Sequence, residues 1–198
     1  MDKNIEKTVQ KVRITFITPI LGTQPQKDVA TEYLAKKFVD NGGVLPDDEI
    51  GTLDEALKKG TTVFHKLNGS PIFYDYQIKG FIKEAGRVFN GLRDVKNLRS
   101  KIDNYVFVNP RQINIQMPAG SEISFLERPL RAMTPQGERV GLAKSELIPD
   151  GSIIEFELHV YNGPVEMDLI KDLFTYGHDK GIGQWRNGGY GRFDFEFV

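Results

Sequence analysis

The chain contains no cysteine. That one absence removes disulfides, thiolate nucleophiles and cysteine-held zinc or iron–sulfur clusters together. Histidine is nearly as scarce, and His65, His159 and His178 show no metal-ligand spacing. No stretch approaches the roughly 18 apolar residues that a membrane span needs. The polar segment Met1 to Lys11 lacks the apolar core of an export signal, so a cytoplasmic protein with no membrane partner is expected. An excess of either charge is missing too. The 26 Lys and Arg against 27 Asp and Glu give a net charge of −1, which excludes a protein that coats nucleic acid indiscriminately. What is present is a globular composition, 39% hydrophobic and 27% charged over 198 residues, and a length that suits one domain, 1–198, with a large insertion.

The charge is unevenly spread. Between Asp28 and Lys59 eight carboxylates face four lysines, whereas from Lys79 to Lys101 the cations Lys79, Lys83, Arg87, Arg93, Lys96, Arg99 and Lys101 meet only Glu84 and Asp94. A basic face there serves a polyanion, or is an ordinary solvated helix surface.

Apolar periodicity sets the elements. Alternation of Val12, Ile14 and Phe16 predicts a strand over 11–18, and Ile154, Phe156, Leu158 and Val160 predict one over 152–161. Phe193, Phe195 and Phe197 predict a closing strand over 192–198. The stripe Ile78, Phe81, Ile82, Ala85, Val88 and Phe89 predicts a helix from about Tyr76 to Asn90. Further helices are expected over 28–39, over 52–59 and from Pro164 to a C-terminal Gly177. The stretches 105–115, 123–132 and 140–147 read as extended, with a turn at Thr134-Pro135-Gln136-Gly137 and an irregularity at Pro110. The order predicts an α+β fold: a ferredoxin-like (RRM-like) antiparallel sheet with helices on one face.

The most unusual segment is Gly181-Ile182-Gly183, five residues, then Gly189-Tyr190-Gly191. Dense glycine lets a backbone approach a ligand and offer N–H groups to phosphate. Trp185 and Tyr190 suit base stacking, while Arg186 and Arg192 suit phosphates, the combination that single-stranded RNA asks for; a plain helix-to-strand connection is the alternative.

This spacing resembles the glycine-rich loop of the RAMP superfamily of CRISPR-associated proteins. Three further segments agree in order. Ile14-Thr15-Phe16-Ile17-Thr18-Pro19-Ile20-Leu21-Gly22 resembles the family's first strand and its TPxxxG turn. Pro71-Ile72 with Ile78-Lys79-Gly80-Phe81-Ile82-Lys83 is similar to the segment that opens the first core helix of type III backbone subunits. Arg139-Val140-Gly141-Leu142-Ala143 with Ile148 to Glu157 resembles the return of the family's thumb to the core. Two departures stand out: Asp75, Tyr76 and Gln77 replace the serines before the Lys-Gly pair, and residues 24–69 form an unaligned helical insertion.

The resemblance implies a guide-RNA-binding backbone subunit partnered by other effector subunits or copies of itself, with a β-hairpin thumb at about 104–145. It assigns RNA contacts to Lys79, Arg87, Arg128, Arg131, Arg139, Lys144 and the loop residues Gly181, Gly183, Trp185, Arg186, Gly189, Tyr190, Gly191 and Arg192. No cofactor is implied. A RAMP-fold endoribonuclease is the alternative, with His178 as acid or base, or with a divalent metal on Asp28; an N-cap explains Asp28 equally well, and a helix-end position His178. A solitary mobile-element protein that mimics or binds an effector subunit is the third reading.

Overall fold

The alternating apolar residues of the first strand set the architecture. In a computed structural model, which describes residues 6–25, 61–134, 137–161 and 163–198, β1 (Lys7–Phe16) buries Val12, Ile14 and Phe16 on one side. It pairs antiparallel with β11 (Ile153–Tyr161) on one edge and β12 (Phe193–Phe197) on the other. The three expected strands thus share one sheet. The segments predicted as helices at 28–39 and 52–59, and Asp28 with them, lie outside the described residues.

The chain divides into two compact units. The first holds Met1–Ile20, His65–Glu122 and Ile148–Val198. Its sheet runs β12-β1-β11-β8-β6-β5, where β5 is His65–Leu67, β6 is Ser70–Tyr74 and β8 is Gln112–Gln116. β7 (Val106–Asn109) also pairs with β11, so the stretch expected at 105–115 is one strand broken at Pro110. Several elements were not expected, among them strands in the stretch 24–69 that was read as helical. The β5–β6 hairpin turns on Asn68 and Gly69, both at positive φ, and a second helix, α2 (Leu98–Tyr105), follows the main one.

The helices cover the apolar face of this sheet. α1 (Asp75–Val88) buries Ile78, Phe81, Ile82 and Ala85, and α3 (Met167–Phe174) buries Leu169, Ile170, Leu173 and Phe174. Their rings meet those of the sheet: Phe193 lies 5.2 Å from Phe81 and 6.2 Å from Phe16, edge to face, the favoured geometry for aromatic pairs. Phe174 touches Phe193, Phe195 and Phe197 in turn. The opposite face is polar: Arg13 bridges Glu155 and Glu196 at 2.7 Å each, and Lys11 joins Glu155 at 2.9 Å. These hydrogen bonds and charges raise the Arg13 pKa above its ordinary range.

Gly177 does not cap α3 as the sequence suggested. α3 starts at Met167, not at Pro164, and stops at Phe174, and a short turn, α4 (Gly177–Lys180), follows; glycine stands at 177 because a Cβ there would lie 2.1 Å from the Phe193 ring.

The second unit holds Leu21–Phe64 and Ile123–Leu147. Within it β9 (Ser124–Thr134) and β10 (Gly137–Ile148) form the expected hairpin, and β4 (Thr61–Val63) lies parallel to β10; the two-residue strands β2 (Ile20–Leu21) and β3 (Gln24–Pro25) belong to the same sheet. The hairpin begins at Ser124; residues 104–122 belong to the first unit. The buried carboxylate of Glu146 accepts the Phe64 N–H at 2.8 Å. No helix among the described residues is long and apolar enough to cross a membrane.

Gly177→Ala should destabilise the protein by about 1–3 kcal/mol through overpacking, and Phe193→Ala by about 3–5 kcal/mol through the cavity it opens. Because the two sites share one space, Gly177→Ala should become nearly neutral in a Phe193→Ala background. Urea unfolding of the four proteins checks this, and additive losses would refute the contact.

Candidate nucleic-acid interface

α1 turns its apolar stripe to the sheet and leaves Tyr76, Lys79, Gly80, Lys83, Glu84 and Arg87 on its outer side. These residues, with Arg99 and Asp103 of α2 and Arg186 of the glycine-rich loop, line a cleft of about 670 Å³. Five cations, Lys79, Lys83, Arg87, Arg99 and Arg186, meet two carboxylates there, Glu84 and Asp103.

The cations are not equivalent. Lys83 is tied to Asp103 at 2.8 Å. Arg186 is tied to Glu84, whose other oxygen lies 3.6 Å from Lys180. Burial pushes the Glu84 carboxyl up, but the hydrogen bond and charge of Arg186, with Lys180 behind them, prevail and hold it below the usual carboxylate range. Lys79 donates to the carbonyls of Asp103 and Val106 at the C-terminal end of α2, a placement that the helix dipole favours, and lies 4.7 Å from the Phe107 ring centre. Burial lowers its pKa, against the pull of Asp103. The exposed guanidinium groups of Arg87 and Arg99 make no hydrogen bond or ion pair among the described residues.

The glycine-rich loop is built largely on itself. Gly181, Gly183, Gly189 and Gly191 all have positive φ, as expected. Gly191 and Gly181 face each other so closely that a Cβ on Gly191 would lie 1.9 Å from the Ile182 carbonyl oxygen. The Ile182 N–H donates to Gly191 O at 2.8 Å, and the Gly191 N–H to Pro19 O at 2.9 Å. Arg192 N–H donates to Thr18 Oγ1 at 2.8 Å, so the Thr-Pro turn after β1 and the loop close on one another. Trp185, itself at positive φ, stacks on Tyr190 with centroids 5.1 Å apart and remains 42% exposed. Gly189 has open space: the nearest atoms to a Cβ there belong to the Arg192 guanidinium at 4.0 Å.

Of the sequence-predicted residues, the structure therefore unites Lys79, Arg87 and Arg186 in the cleft, and Trp185, Tyr190, Arg192 and the glycines in the adjoining loop. Arg128, Arg131, Arg139 and Lys144 belong to the second unit. There Lys144 pairs with Glu127 at 2.9 Å and sits over the Phe125 ring, half-buried Arg128 stands opposite Ala143, and Arg131 and Arg139 oppose Val140 and Ala132. His178 is exposed, 3.6 Å from Asp179 and 3.9 Å from Asp194, and does not line the cleft. Sequence reasoning passed over Tyr76, Lys83, Glu84 and Arg99 as site residues; the basic run from Lys79 to Lys101 contained the signal for Lys83 and Arg99.

No protein-family model matches the sequence, and no curated protein does. The structure is more informative. A chain of Type III-B Cmr-beta bound to cognate target RNA matches it with a TM-score of 0.54 over 98% of this chain, at 13% identity. The two chains share a fold. A chain of a Type IV-B CRISPR complex gives 0.50 over 96% of this chain and 90% of its own, at 11% identity. The chain spans 61% of the length of the Cmr-beta chain.

Two outcomes follow from the geometry. Gly191→Ala should prevent stable folding of the loop, whereas Gly189→Ala should cost only about 1 kcal/mol of left-handed backbone strain; thermal melts distinguish them, and equal losses would contradict the close approach. For Glu84 the folded pKa is depressed, so its contribution is complete above the ordinary carboxylate range and is lost as pH falls through the folded value. The stability gap between wild type and Glu84→Gln should accordingly be wide at neutral pH and close in acid, as read by denaturant titration across pH.

Proposed function

We propose that the chain is a guide-RNA-binding backbone subunit of a CRISPR-type ribonucleoprotein in antiviral defence, gripping RNA without cutting it and assembling with other effector subunits or copies of itself. The observation that carries this reading is the cleft in which Arg87 and Arg99 make no ion pair among the described residues while Lys83 and Arg186 do. Exposed guanidinium groups without a protein partner are what a phosphate backbone recruits, because they bring charge without first breaking an ion pair. The likeness in fold to CRISPR effector subunits, one of them a chain of Cmr-beta bound to cognate target RNA, supports the choice of polyanion.

The finer architecture belongs to the same proposal. Read as a ferredoxin-like core, the first unit takes β1, α1, the β7–β8 strand, β11, α3 and β12 as its six elements; the spatial order β12-β1-β11-β8 supports this, being fourth, first, third, second. The β9–β10 hairpin is the thumb. Arg128, Arg131, Arg139 and Lys144 are its candidate RNA contacts, and Arg192 beside Gly189 is that of the loop. Lys79 serves the same interface indirectly by fixing α2, and with it Arg99, against α1.

Replacing Arg87 and Arg99 together by Glu should weaken binding of single-stranded RNA at low salt. It should also flatten the slope of log affinity against log salt by about 1.4, two phosphate contacts at roughly 0.7 each. Fluorescence anisotropy titrations at several salt concentrations measure both, and an unchanged slope would place the RNA elsewhere.

A further inference from the structure

An aromatic row runs into the cleft. His65 meets Tyr74 edge-on at 4.7 Å, and Tyr74 stacks on Tyr76 with centroids 5.4 Å apart and planes 14° from parallel. Tyr76 is 55% exposed and lines the same cleft as Arg87 and Arg99. An apolar ring this exposed on the first turn of a helix adds nothing to the core, yet its position is tightly determined. The Asp75 carboxylate accepts the Tyr76 N–H at 2.8 Å, and the Asp75 N–H donates to Arg111 O at 2.9 Å. The Gln77 side chain accepts the Tyr74 N–H at 2.8 Å. Three consecutive residues, Asp75, Tyr76 and Gln77, thus divide the work: two secure the helix start and the third projects a braced ring.

We infer that Tyr76 is a base-stacking residue for single-stranded RNA, taking one unpaired base on its outer face while Arg87 and Arg99 take phosphates farther along the same strand. The inference rests on the RNA-binding reading above and adds to it a recognition element with a different physical basis. A ring already stacked on Tyr74 loses little freedom when a base covers it, so most of the stacking energy reaches affinity. Because every base has a π-face, the site reads the presence of a base and not its identity. Stacking is also insensitive to salt, unlike the arginine contacts.

The test compares oligoadenylate RNA with an abasic strand of the same length, each titrated against the full chain at two salt concentrations. Tyr76→Ala should weaken oligoadenylate binding by about 5- to 150-fold at both salts. It should leave the abasic strand unaffected, and Tyr76→Phe should bind as wild type. Thermal melts of Tyr76→Phe should match wild type, and Tyr76→Ala should stay folded with only a small downward shift from the lost stack on Tyr74. Unchanged oligoadenylate affinity in Tyr76→Ala, with loss in the Arg87→Glu, Arg99→Glu protein, would overturn the stacking site and leave the RNA-binding reading standing. Equal loss on both strands would also overturn it, because an abasic strand has nothing to stack. If wild type binds neither strand better than duplex DNA, the RNA-binding reading fails and the stacking site falls with it.

Discussion

The Ile182 carbonyl oxygen occupies the place where any side chain at position 191 would begin. Only glycine allows the main chain to pass there, and that passage joins three parts of the first unit. The Gly191 N–H reaches Pro19, the Gly191 carbonyl receives Ile182, and the next residue bonds Thr18 before entering β12. β12 is thereby delivered alongside β1 with Phe193 turned into the core against Phe16, Phe81 and Phe174. The same loop carries Arg186 out to Glu84 on α1. Core packing and the composition of the cleft therefore depend on one backbone contact.

The cleft illustrates how a chain of nearly zero net charge presents a cationic site. Local excess matters here, and pairing matters more than number. Glu84 and Asp103 take up Arg186 and Lys83, and backbone carbonyls take up Lys79. Those cations hold helices and loop together. Arg87 and Arg99 make no hydrogen bond or ion pair among the described residues, although the charge of Arg99 also acts on Asp103.

Much of the first unit was legible because burial imposes periodicity. β1, β11 and β12 show period two and α1 a continuous stripe, so their positions were correct within a few residues. The β5–β6 hairpin escaped, although Asn68-Gly69 is a strong turn signal, because its strands are only three and five residues long and carry little alternation. α2 escaped because only Leu98 and Ile102 of its eight residues are buried, too few to form a stripe. The glycine-rich loop was recognised as special, but composition cannot separate glycines required by the fold, such as Gly191 and Gly177, from one facing open space, such as Gly189. That distinction depends on which atoms stand opposite. Tyr76 was visible only as a departure from the serines expected there, and its ring gains meaning from Tyr74 and from the arginines that line the same cleft.

The pairing of β1 has a consequence for how the protein is made. β1 leaves the ribosome well before its partners β11 and β12, which begin at Ile153 and Phe193. Its register joins Lys7 to Tyr161 and Val12 to Phe197, contacts of very long sequence separation. Such closures are slow and come late. During translation the apolar edge of Val12, Ile14 and Phe16 has no permanent cover, a period in which a nascent chain of this topology is exposed to misassociation and chaperone capture.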